Sequence, residues 1–270
     1  MIDVLAIFSY KFFQNALLGG IITSAACAWV GLFLILRRES MLGDGVAHTA
    51  FGGIAIGLLL GISPLLTALA VSIVSVLGIS YMRKKGLANS DAAIAVIMAM
   101  GFALGLIIIS LAGGFNVELF SYLFGSILTI STQDLILVTA LGLITIAFLG
   151  VFYKELLSMT FDEDAARMKG IPVKPMSIVF NILVAMTIVL SIKVIGIVLV
   201  TALMVIPGLA ALQLNLSFRR TVAASVGFGA MSTFFGLVIS ALYNVATSGA
   251  IVFTAAAIFA FVAAYRGLGK

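Results

Sequence analysis

No Asp, Glu, Lys, Arg or His falls between Phe12 and Leu36. A helix in water needs a polar face, whereas one that crosses a bilayer needs about 20 consecutive apolar residues and almost no charge. The signal recurs along the chain. Gly45 to Met82 carries only His48, and Gly61-Ile62-Ser63-Pro64 divides that length into two helices. The runs Ala92 to Val117, Leu135 to Tyr153, Pro175 to Ile192 and Val194 to Phe218 follow, the last two separated by Lys193 alone. Thr221 to Tyr265 is long enough for two spans, with a break at Tyr243-Asn244-Val245-Ala246-Thr247-Ser248-Gly249. These runs predict a polytopic all-α bundle of about nine transmembrane helices, forming one transmembrane domain over residues 1–270.

Composition excludes a soluble alternative. The chain is 63% hydrophobic and 9% charged, with a mean hydropathy of +1.30. Soluble domains carry roughly 25% charged residues, and 9% cannot cover an aqueous surface. A multi-pass protein of the plasma membrane follows. Its net charge of +5 belongs to cytoplasmic loops rather than to nucleic-acid binding, because the longest basic run is Arg83-Lys84-Lys85.

Orientation comes from the same residues. With the N-terminus outside, every lysine and arginine except Lys11 and Lys193, of 15 in all, falls at the inner ends of the predicted spans. The positive-inside rule therefore predicts N-out and C-in. Ala26-Cys27-Ala28 resembles a cleavage site, but the apolar run continues to Leu36 and meets Arg37-Arg38, as a retained span does. Cys27 is the only cysteine, so no intrachain disulfide forms and its expected role is packing. Gly52, Gly53, Gly57, Gly101 and Gly105 are expected to let helices approach closely. Pro207 removes a helix hydrogen bond in mid-membrane and predicts a kink.

Two islands interrupt the apolar pattern. The outer segment, about 113–133, is too apolar for a free loop and predicts an interfacial or re-entrant helix, with Glu118 facing outer solvent or a partner. The inner segment, about 160–170, predicts a short amphipathic helix. Thr160-Phe161-Asp162-Glu163 fits a capping box, and Gly170 with Pro172 ends the helix. Asp162, Glu163 and Asp164 complement its positive end, while Arg167 and Lys169 complement the negative one. Phe161, Ala165 and Met168 form one apolar stripe, suited either to the membrane surface or to a groove on another protein. Nowhere does the sequence contain G-x-x-x-x-G-K-[ST] or H-E-x-x-H. The chain thus lacks the common phosphate cradle and the common metallohydrolase pair, and no enzyme activity is predicted for it.

Asp44 and His48, the single histidine, stand four residues apart on one helical face. Three readings are open: the pair lies in the headgroup layer, Asp44 caps the helix, or the two are ligands on a divalent-metal path. Carboxylate oxygen with imidazole nitrogen suits manganese, iron or zinc. Two donors are few, but a two-fold homodimer would bring two of each to its axis.

Arg37-Arg38-x-Ser40-Met41-x-Gly43-Asp44-x-x-x-His48 resembles the signature of the permease subunits of zinc and manganese ABC importers, the ABC-3 family. Tyr122-Leu123-Phe124-Gly125-Ser126-Ile127-Leu128 and Val198-Leu199-Val200-Thr201-Ala202-Leu203-Met204-Val205-Ile206-Pro207 resemble the same family. The likeness runs from about Phe12 to Phe261. It implies the BtuC-like (type II) permease fold and a homodimer that works by alternating access. Two cytoplasmic ATP-binding cassette subunits would use the ATP, and an extracytoplasmic metal-binding protein would deliver the cargo. It also implies that Asp44 and His48 are the pathway ligands for zinc or manganese, with iron a third possibility. Thr160, Phe161, Asp162, Glu163, Ala165, Ala166, Met168 and Gly170 would form the coupling helix on the ATPase, where Ala165-Ala166-x-x-x-Gly170 echoes other importers. No cofactor resident in this chain is implied. Two alternatives remain at this stage: a secondary cation transporter or channel using Asp44, and a siderophore- or cobalamin-type permease.

Overall fold

The computed structural model describes residues 9–114, 117–125 and 132–268, and all regular structure among them is helical. In lipid the backbone has no water to bond, so each crossing segment must satisfy its own amides, which a helix does. Among the described residues, eight helices are long and apolar enough to cross: α1 (Lys11–Leu36), α2 (Met41–Leu60), α3 (Pro64–Lys84), α4 (Ser90–Leu111), α6 (Thr132–Val151), α9 (Val173–Ile195), α11 (Phe218–Tyr243) and α12 (Thr247–Leu268). A ninth apolar helix, α10 (Val200–Gln213), is shorter. Three short helices lie between them: α5 (Val117–Phe124), α7 (Tyr153–Phe161) and α8 (Glu163–Met168).

Each of the nine apolar runs of the sequence has its helix, and one differs from expectation. The run from Val194 to Phe218 is not one straight crossing. Helix α9 ends at Gly196, whose φ of +83° suits glycine, and a 3₁₀ turn over Ile197–Leu199 precedes α10. A side chain at Gly196 would overlap the carbonyl of Leu123, so α5 lies against this break. The outer segment thus does contain a helix. Leu119 and Tyr122 bury one side of it, and Phe120 and Phe124 are exposed on the other. The Glu118 side chain, Ser126 to Leu128 of the second motif and the Lys193 side chain lie outside the described residues.

Helix α1 is the central post, packed by α6, α9, α10 and α11. Small residues allow this. A Cβ on Gly31 would overlap the Met204 carbonyl of α10, and the Ser225 hydroxyl of α11 donates to the Ala28 carbonyl at 3.1 Å. Cys27 is buried and its Sγ lies 2.8 Å from Ser191 Oγ of α9, as a packing role requires. Around α2 the predicted glycines do the same work. Gly52 faces the Gly101 carbonyl of α4, Gly53 faces Ala68 of α3, and Gly105 faces Phe51. The α2–α3 turn falls where expected, with Gly61 closing α2 and Pro64 opening α3. Large apolar side chains such as Val74, Met100, Ile136 and Phe253 point outward, as a lipid-facing surface demands.

The inner island corrects the sequence reading. Thr160 is not the cap of the second helix, because it belongs to α7 and its hydroxyl donates back to the Leu156 carbonyl at 2.7 Å. The chain turns extended at Asp162 (φ −153°, ψ 105°), and Asp162 Oδ1 accepts from the Ala165 amide at 2.9 Å. Asp162 is therefore the N-cap of α8. The single stripe through Phe161, Ala165 and Met168 is broken as well, since Phe161 lies on α7 while Ala165 and Met168 lie on α8. The predicted end holds. Gly170 has φ +80°, its amide bonds the Arg167 carbonyl, and the Ile171 amide bonds the Ala166 carbonyl, a Schellman closure.

Candidate functional site

Ser40 occupies the N-cap position of α2 without a side-chain cap bond, and Asp44 follows in the first turn. Asp44 does not cap this helix. Its Oδ1 accepts instead from Thr201 Oγ1 of α10 at 3.2 Å, and His48 Nε2 lies 3.8 Å from the same oxygen, one turn along α2. The side chains of His48 and Asp44 are 31% and 35% exposed, so both are partly sheltered yet reachable. The His48 ring meets Phe102 of α4 edge-on at 5.3 Å, and Phe102 in turn packs on Phe51.

The close approach has a local cause. Gly43 leaves room for Thr201 Cγ2 and Met204 Sδ, each 3.6 Å from where its Cβ would stand. Gly45 likewise faces Ile94 of α4. A methyl at Gly43 would stand in ordinary contact with α10, whereas one at Gly45 would meet Ile94 Cγ2 at 2.6 Å and force that side chain to shift. The two polar residues thus sit in a seam between α2, α4 and α10.

Depth follows from α10. Thr201 stands at the start of that helix, and Gln213 at its far end accepts from Arg266 Nη1 at 3.0 Å on the basic face. At 1.5 Å per residue, about 18 Å of helix separates Thr201 from that end. Asp44, in the first turn of α2, is therefore level with the start of α10, the end away from Gln213 and Arg266.

Two donors 3.8 Å apart fit on one cation, since ligands on opposite sides of an ion at ~2.1 Å stand about 4.2 Å apart. Among the described residues no third His, Cys, Asp or Glu joins them. Asp44 and His48 thus offer two donors per chain.

The remaining predicted positions lie apart from this pair. Pro207 is buried inside α10, which continues through it; regular helix is lost earlier, at Gly196 to Leu199. On the basic face, Leu157, Ser158, Phe161, Asp162, Ala165 and Lys169 line an open groove of about 270 Å³ between α7 and α8. Phe161 and Met168 are 73% and 84% exposed there, while Ala166 is fully buried against Met159 and Val173. Glu163 and Asp164 pair with Arg167 at 2.7 and 3.5 Å, covering the charged side of α8.

Thr201 is a site residue that sequence reasoning did not single out, although it lies within the motif Val198 to Pro207. Its partner is 157 residues away in sequence. Only the polarity of one threonine at the start of an apolar run marked it.

A bundle of apolar helices with a carboxylate–imidazole pair at a helix break is a membrane permease in architecture. The chain belongs to the ABC 3 transport family, which it matches over residues 9–266. It is 33% identical over 257 residues to an uncharacterized membrane protein of Synechocystis sp., covering 95% of this chain and 92% of that one. It is 32% identical over 252 residues to the manganese transport system membrane protein MntC of Halalkalibacterium halodurans, covering 93% and 86%. The fold is that of the solved structure of PsaBC from Streptococcus pneumoniae in complex with Fab, with a TM-score of 0.86, 29% identity and coverage of 96% and 95%. It is a multi-pass protein of the cell membrane and an ABC transporter permease.

Proposed function

We propose that this chain is the membrane subunit of an ATP-driven importer of a divalent transition metal, with manganese as the cargo of first choice. The observation that carries the reading is the Asp44–His48 pair, its donors 3.8 Å apart in a seam of the bundle at the start of a half-length helix. Carboxylate and imidazole bind first-row divalent ions, and two donors per chain bind weakly enough to release them. The name of the Halalkalibacterium halodurans relative supports manganese.

Two copies related by a two-fold axis would bring two Asp44 and two His48 side chains together. The ion would be received from an extracytoplasmic binding protein on the outer side and passed to this site. Alternating access then consists of a change in which end of the seam is open. Separate cytoplasmic ATPase subunits drive it, seated on the groove between α7 and α8, where Phe161 and Met168 offer the apolar contacts. Gly170 sets the exit of α8 toward α9, and Pro207 supplies a flexible point in α10.

The test is metal accumulation at limiting manganese in cells that depend on this system, with variant abundance measured in the membrane fraction. Asp44→Ala and His48→Ala are expected to abolish accumulation while leaving abundance unchanged. Wild-type accumulation in both would remove the pathway role.

A further inference from the structure

The turn between α1 and α2 holds a carboxylate that the metal pathway does not use. Glu39 is 6% exposed. Its Oε1 accepts from Arg83 Nη1, in the last turn of α3, at 2.7 Å, and its Oε2 has Arg37 Nε at 3.6 Å. A carboxylate withdrawn from water is costly unless charge-paired in this way.

Arg37 continues the cluster into α9. Its Nη2 donates to Ser177 Oγ at 3.2 Å, and its guanidinium lies 5.1 Å from the centre of the Phe180 ring. Beside this, Asn181 Nδ2 donates to Ser80 Oγ at 3.2 Å, tying α9 directly to α3. The turn itself is held in an uncommon backbone state. Arg38 has φ +58°, a region that long side chains seldom enter, with the Glu39 amide bonded to the Leu34 carbonyl at 2.8 Å.

The two sides of the cluster give it a direction. On one side, the Glu39 carbonyl accepts from the Leu42 amide at 2.9 Å, the bond that opens α2 one turn before Asp44. On the other, α9 begins at Val173, which packs with Met159 of α7 and Ala166 of α8. A continuous packed path therefore runs from α7 and α8 through the first turns of α9, then Arg37 and Glu39, to the start of α2.

We propose that Glu39 is a positioning residue for transport. It locks the cytoplasmic ends of α1, α2, α3 and α9 into one body, so that displacement of the α7–α8 segment reaches Asp44. It acts through Arg83 and Arg37 and does not contact the metal. The inference rests on the permease reading above.

The test uses the complete transporter reconstituted in vesicles, measuring manganese uptake and ATP hydrolysis together, normalised to assembled complex. Glu39→Gln keeps the shape of the side chain and removes its charge, and Arg83→Met removes the partner. Each is expected to lower manganese moved per ATP at least fivefold, with the KM for manganese within twofold of wild type. The double variant is expected to be no worse than Glu39→Gln alone, because Arg83 acts through Glu39. Arg83→Lys is expected to keep at least half of the wild-type ratio. A wild-type ratio in Arg83→Met, or effects that multiply in the double variant, would overturn the proposal even where Glu39→Gln fails to assemble. Asp44→Ala is measured alongside. Full uptake in Asp44→Ala removes the permease-site reading, whereas a dead Asp44→Ala with an unaffected Glu39→Gln removes this inference alone.

Discussion

The Thr201 hydroxyl donates to Asp44 Oδ1 at 3.2 Å and so joins the first turn of α2 to the restart of the chain after the Gly196 break. The bond sets one carboxylate oxygen toward α10 and leaves the other free. It also makes the break part of the site, since any shift of α10 at its start moves the group that holds Asp44.

Thr201→Val keeps the shape of the residue and removes the donor. A hydrogen bond to a charged group contributes about 1.5–3 kcal/mol, and every 1.4 kcal/mol is tenfold in affinity. The KM for manganese uptake is expected to rise about tenfold or more in Thr201→Val and to stay near wild type in Thr201→Ser. Uptake measured across a range of manganese concentrations reads the difference.

Asp162→Ala removes the N-cap of α8, and caps of this kind contribute about 1 kcal/mol. Amide exchange over Glu163 to Met168 is expected to speed up by roughly five- to tenfold, with uptake reduced. Thr160→Val is expected to leave that exchange unchanged, because Thr160 bonds within α7. Equal effects of the two substitutions would restore the capping box centred on Thr160.

Gly31→Ala places a methyl group on the Met204 carbonyl and forces α1 from α10. Overpacking of this kind costs about 1–3 kcal/mol, so the detergent-solubilised protein is expected to melt several degrees lower. Gly227, inside α11, has open space around its Cβ position. Gly227→Ala is therefore expected to hold or raise the melting temperature, as alanine is favoured over glycine in a helix by up to ~1 kcal/mol. A melting curve for each variant checks the pair.

How much of this was legible beforehand depended on the range of the interaction. The spans could be read because charge is costly in lipid, and the gaps from Phe12 to Leu36 or from Ala92 to Val117 record that cost locally. The Gly61–Pro64 turn and the Gly170 end were readable for a similar reason, as each is fixed by residues within one turn. The Gly196 break was hidden because an uncharged run from Val194 to Phe218 satisfies the length rule whether straight or broken. At the inner island two overlapping cap patterns compete, and the sequence could not tell that Thr160 would bond backward while Asp162 capped forward. Asp44 and His48 announced themselves by spacing. Thr201 and the Glu39–Arg83 pair did not, because their partners are brought to them only by packing of distant helices.

The central claim is that His48 binds the transported ion, and pulsed electron paramagnetic resonance on manganese in the assembled transporter measures that contact directly. Nitrogen-14 modulation from a coordinated imidazole is expected in the wild-type protein and is expected to be lost in His48→Ala, with the complex still assembled. The same modulation in both proteins, or none in either at saturating manganese, would contradict it.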